Sequence, residues 1–199
     1  MVAAVLHLSI SQGKTFSKSL RWGGGRKLYK PITGATKAAP CVLTSAAHGV
    51  PDGWAFKISD VVGMLDLNSE SRLDNDGYYI ATVTGVNTIE LSNVNALGFK
   101  PYASGGVIEL NEPVDLTGYT ARLQIRKSIK APDVLLELTT ENGGISINVP
   151  AYTITLNISA TATAALTWTE GVYELEMVKG PLVVPLVRGA ARVTREIAR

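Results

Sequence analysis

Cysteine is nearly absent: Cys41 is the only one in 199 residues, and His7 and His48 are the only histidines. One thiol excludes an intrachain disulfide and any multi-thiolate metal centre, and two distant histidines leave little for a histidine-based one. No metal or other cofactor is therefore expected. No apolar run approaches the roughly 18 residues of a membrane-spanning helix, so no membrane partner is expected. The apolar residues 1–10 lack a basic leading region and run into polar residues, which argues against a signal peptide and for folding in a cytoplasm. Acidic residues are missing altogether before Asp52.

That last absence leaves Lys14, Lys18, Arg21, Arg26, Lys27 and Lys30 without local counter-charge, and Arg188, Arg192, Arg195 and Arg199 add a basic C-terminus. A net charge of +2 is too small to imply nucleic acid. The simpler reading is a solvated basic face. The sharper one is contact with acidic neighbouring subunits, with Lys14, Arg21, Arg26, Lys27, Arg192 and Arg195 as the candidate assembly contacts.

What is abundant is strand grammar. With 46% hydrophobic and 18% charged residues the chain is globular in composition, and its apolar residues recur mostly at spacing two, with Gly, Asn, Asp and Pro in the intervals. Residues 15–22 place Phe16, Lys18, Leu20 and Trp22 on one side, Lys18 being the flaw in the pattern. Gly23, Gly24 and Gly25 are expected to end that strand. From 31 to about 110 the segments shorten and turn chemistry thickens, with hairpin signatures around Asn75-Asp76-Gly77 and Gly85-Val86-Asn87. After Pro113 longer strands return, with Tyr119, Ala121, Leu123 and Ile125 facing inward. Only residues 159–166 break the pattern, where Ser159 could cap one or two helical turns. Seven or eight strands with one short helical crossover fit a β-sandwich of immunoglobulin type.

Catalytic motifs are missing: there is no G-x-S-x-G, no H-E-x-x-H and no phosphate-binding glycine loop. Cys41 and His48 invite a thiolate–imidazole pairing, yet each reads more simply as a buried small residue and a turn residue. Asp74, Asp76, Glu137, Glu141, Glu174 and Glu176 could be imagined as a glycosidase pair. However, Glu174 and Glu176 alternate with Leu175 and Met177, which puts them on a solvated strand face. Trp22, Tyr119, Trp168 and Tyr173 are expected in the sandwich core, Tyr173 as a tyrosine corner. Trp54, Phe56, Tyr79, Phe99 and Tyr102 fall between residues 31 and 111, where core packing competes with an exposed docking or glycan-binding patch. The chain is not expected to be an enzyme.

Three stretches carry a family resemblance. Val114-Asp115-Leu116-Thr117-Gly118-Tyr119-Thr120-Ala121-Arg122-Leu123-Gln124-Ile125-Arg126, then Leu136-Glu137-Leu138-Thr139-Thr140-Glu141-Asn142-Gly143-Gly144-Ile145, then Ala164-Ala165-Leu166-Thr167-Trp168 with Tyr173-Glu174-Leu175-Glu176, resemble the immunoglobulin-like domain of small bacteriophage tail and baseplate proteins. In that family the strand equivalent to residues 15–22 runs almost directly into the Asp-Leu-Thr-Gly-Tyr segment; here residues 31–111 intervene. Those residues resemble a small β-domain that recurs in phage tail proteins, through Ile32-Thr33, Pro40, Val42, Ala47-His48-Gly49, Gly63-Met64, Leu67-Asn68, Tyr79 and Asn87-Thr88-Ile89-Glu90-Leu91, with 69–76 longer than the pattern.

The expectation is thus an all-β chain, an immunoglobulin-like β-sandwich (1–30 and 112–199) interrupted by an inserted small β-barrel-like domain (31–111). The resemblance implies a structural component of a phage virion, in tail or baseplate, whose partners are other virion proteins. A host-surface or glycan-binding role through the insert, or a head decoration or fibre-attachment role, is the alternative.

Overall fold

Alternating apolar and polar residues form strands along most of the chain, and one five-residue helix is the only α-helix among the described residues. The computed structural model describes residues 3–71 and 75–196. The first strands are β1 (Ala4–Val5), β2 (Leu8–Ser11), β3 (Phe16–Leu20), β4 (Gly23–Pro31), β5 (Gly34–Ala35), β6 (Cys41–Thr44), β7 (Ala55–Val62), β8 (Tyr79–Ile80), β9 (Thr82–Gly85) and β10 (Thr88–Leu91). There follow β11 (Ser104–Pro113), β12 (Thr120–Arg126), β13 (Val134–Thr139), β14 (Ile145–Asn148), β15 (Thr153–Ile158), the helix α1 (Ala160–Ala164), β16 (Glu170–Lys179) and β17 (Leu182–Thr194). The chain is all-β and divides into two compact units, one of Met1–Trp22 with Asp115–Arg199, the other of Gly23–Val114.

The discontinuous unit is a sandwich. One sheet runs β1-β17-β16-β12-β13, with β2 also on β17, and the other β14-β15-β3. Period-two alternation sends Leu123 and Ile125 of β12, Leu175 and Met177 of β16, and Ile154, Leu156 and Ile158 of β15 into the core. Each such side chain contributes roughly 1.5–3 kcal/mol on leaving water. With β3 and β15 in one sheet and β12, β16 and β17 in the other, the two layers make a β-sandwich. A bulge at the Leu175/Glu176 pairing leaves Leu186 unpaired, so that Leu186 and Val187 are both buried. Lys18 stays exposed although it faces the side of Phe16 and Leu20, because β3 is the edge of its sheet. Ser159 does cap the helix, its Oγ accepting from the Ala162 amide at 3.1 Å. Trp22 and Tyr173 are buried and Trp22 meets Tyr119 edge-to-face at 5.5 Å, while Tyr119 and Trp168 are only half-buried.

Tyr173 is not a tyrosine corner. Its hydroxyl donates to the Leu6 carbonyl at 2.8 Å, so it ties the N-terminal segment to the sheet instead of bonding a few residues upstream. The reason is that β1 and β2 pair in parallel with β17 and bring Leu6 beside it.

The second unit is two four-stranded sheets, β5-β6-β10-β9 and β4-β11-β7-β8, open and not closed into a barrel. Its core holds Cys41, Leu43, Phe56, Ile58, Met64, Leu67, Ile89, Leu91, Ile108 and Leu110. Strand β3 ends at Leu20, before the three glycines, and a new strand opens on Gly23 whose register with β11 shifts over Gly24 to Arg26. Gly23–Pro31 is one nine-residue strand, paired with β11 from Gly23↔Pro113 to Pro31↔Val107. Glycine suits its first residues because a Cβ on Gly23 would sit 2.9 Å from that of Asn111, where the register shifts beside Pro113. That pairing is why residues 23–30 and 112–114 go with the second unit and not with the sandwich.

Candidate functional site

The six basic residues proposed as assembly contacts do not form one cluster within either unit. In the sandwich, Arg192 pairs with Glu170 at 3.3 Å, and Lys14 and Arg195 are exposed. Arg21 is exposed and has a partner. In the second unit, Lys27 pairs with Glu109 at 2.9 Å and Arg26 with Glu112 at 3.4 Å. The hydrogen bond to Glu109 raises the Lys27 pKa above its ordinary value. The missing local counter-charge is thus supplied from β11, about 80 residues later in sequence. Pairs this exposed are worth ~0–1 kcal/mol, so they leave the side chains available to a partner. Arg199 and Asp74 lie outside the described residues.

The thiolate–imidazole reading fails on geometry. Val50 N donates to His48 Nδ1 at 3.0 Å, which leaves Nε2 to carry the proton and donate to the Gly85 carbonyl at 3.0 Å. His48 is 2% exposed and is used up holding its turn. Cys41 is fully buried and burial pushes its thiol pKa up, away from thiolate.

Two surfaces have built geometry. The first is the outer face of the larger sandwich sheet, a shallow concavity of about 890 Å³. Its floor is cross-linked: Arg122 Nε meets Glu176 Oε2 at 2.6 Å, Gln124 Nε2 donates to Glu137 Oε1 at 2.6 Å, and Arg126 Nη2 donates to Gln124 Oε1 at 2.8 Å. Arg126 Nη1 also donates to the carbonyls of Ala131 and Pro132, pinning a loop on which Ile129 is 91% exposed. Glu174 and Arg188 stand opposite one another in register on this face. Glu174 is exposed as its alternation requires, and Glu176 is half-buried against Arg122. These carboxylates serve a charge ladder of both signs on a strand face.

The second surface is the outer face of the β4-β11-β7-β8 sheet. Of the aromatics singled out between residues 31 and 111, Trp54, Phe56 and Tyr79 are buried, and Phe99 and Tyr102 half-buried. Tyr79 stacks on Phe56 at 5.8 Å and its hydroxyl donates to the Leu67 carbonyl, while Tyr102 Oη lies 2.8 Å from the Gly105 carbonyl. The exposed rings are others, Tyr29 at 61% and Tyr78 at 37%. Alternation was the signal that could have found both, since Tyr29 faces opposite to Leu28, and Tyr78 opposite to Tyr79. No protein-family model matches the chain, and no curated protein matches it in sequence.

Proposed function

We propose that the chain is a non-catalytic structural component of a phage virion, in tail or baseplate, acting through contacts with other virion proteins. The observation that carries the reading is the insertion of one β-unit within another, Gly23–Val114 in the β3-to-β12 connection of a β-sandwich. It falls where the two sequence resemblances divide. A sandwich so built offers edge strands and a charge ladder of both signs to neighbours. Exposed Lys14, Arg192 and Arg195 and the concave sheet face are the surfaces on which acidic or mixed-charge partners would dock. The test is mass spectrometry of purified particles against infected-cell extract. Presence in the particle at a fixed ratio to the tail proteins is the expected result; presence in the extract alone contradicts it.

A further inference from the structure

Tyr29, Glu109, Lys57 and Tyr78 make one row across the outer face of the β4-β11-β7-β8 sheet. Register places Tyr29 opposite Glu109 and Glu109 opposite Lys57, and Lys57 Nζ lies 4.7 Å from the centroid of the Tyr78 ring. Lys57 and Glu109, the middle of the row, also line a cavity of about 320 Å³ together with Ser59, Ser69, Glu70 and Asp76. Lys27 reaches in from β4 to Glu109. A single exposed tyrosine is ordinary. Two at the ends of one row, with a polar cavity opening beside its middle residues, form a platform.

We propose that this face binds a neutral oligosaccharide, with sugar rings stacked on Tyr29 and Tyr78 and hydroxyls hydrogen-bonded by Lys57, Glu109 and Asp76. A pyranose offers a C–H face to an aromatic ring and a rim of hydroxyls that both donate and accept. The platform has matching parts: apolar ring faces at its ends, ammonium donors and carboxylate acceptors between. With strands ~4.8 Å apart, the two tyrosines are roughly 14 Å apart along the row, about the span of a trisaccharide. Charge complementarity selects against polyanions, since Lys27 and Lys57 face Glu70, Asp76 and Glu109, and this balance repels phosphate or uronate chains. The cavity is at the small end of ligand pockets, about 300–1,000 Å³, as suits one sugar unit of a chain that runs along the row. The inference goes beyond the assembly role and does not rest on it, because it concerns binding by the isolated chain and not incorporation into a particle.

The experiment is calorimetric titration of the full chain with cellohexaose, chitohexaose and maltohexaose, and with polygalacturonate as the anionic comparison. At least one neutral hexasaccharide should bind. Tyr29→Ala and Tyr78→Ala should each weaken that binding tenfold or more, Tyr29→Phe should keep it within about twofold, and Val86→Ser, on the exposed β9–β10 turn, should leave it unchanged. Both rings are exposed, so circular dichroism should show all four variants folded. No binding of any neutral hexasaccharide at millimolar concentration would overturn the proposal. So would binding that both alanine variants retain, or polygalacturonate binding as tightly as the neutral chains.

Discussion

The two units solve the same problem, burying an all-β core, by different means. The sandwich relies on length: β16 and β17 span 10 and 13 residues and pair with one another almost throughout. The second unit relies on turns. Three of the four non-glycine residues with positive φ among the described residues, Ala47, Asp60 and Asp76, belong to it, against Tyr152 in the sandwich. Beside its long strands β4, β7 and β11, the second unit's other five have four residues or fewer and bury few side chains each, so register there must be set by backbone conformations that few residue types tolerate. The sandwich should therefore yield mainly to cavities, the second unit to cavities and to backbone changes alike.

The sharpest way to break this contrast is a large-to-small change in each core. Phe56→Ala in the second unit should cost about 3–5 kcal/mol and Leu123→Ala in the sandwich about 2–5 kcal/mol, both side chains being fully buried. Denaturant unfolding followed by hydrogen exchange should show each change stripping protection from its own unit first. A next, smaller effect is backbone strain. Gly106 in β11 has φ +97°, and a Cβ there would lie 2.9 Å from Val61 Cγ2, so Gly106→Ala should cost about 1–3 kcal/mol and lower the midpoint of the second unit alone.

Tyr173 gives a pH-dependent test within the sandwich. Burial pushes its phenol pKa from 10.0 up to about 12, so between those values the unfolded chain has lost a proton that the folded chain keeps. Stability is then fully present below pH 10 and falls by on the order of 2 kcal/mol as pH rises to 12. Tyr173→Phe should flatten that alkaline limb, at a cost near neutrality of about 1 kcal/mol for the lost bond to Leu6. An unchanged limb in the variant would mean that other groups cause it. The smallest effect belongs to the exposed ion pairs. Arg192→Ser and Arg26→Ser should each shift stability by less than about 0.5 kcal/mol, which makes them clean probes of partner contacts.

Period-two alternation made β12, β15 and β16 readable, because each has one face on a core and one toward solvent. The helix cap at Ser159 was readable for an equally local reason. Gly23–Gly25 follow the end of β3, as glycine in isolation argues, yet hid the strand that opens on Gly23, which only the β11 partner, far along the chain, makes. Tyr173 misled for a like reason: its hydroxyl partner is Leu6, 167 residues away. The candidate surfaces were less legible still. Arg122, Gln124, Glu137, Glu174 and Arg188 come from four strands, and Tyr29 and Tyr78 lie at opposite ends of one row. No local pattern joins residues that only sheet register makes neighbours.

The split of the sandwich by a second unit is tested most directly by excision. Gly23 and Pro113 are register partners, so the ends left by removing residues 23–114 are close and a short glycine turn can join Trp22 to Asp115. The shortened chain should unfold in one cooperative transition, with β12 and β16 amides protected from exchange. A non-cooperative transition with exposed apolar surface, read by dye binding, would mean that the two parts share a core and that the sandwich is not a unit of its own.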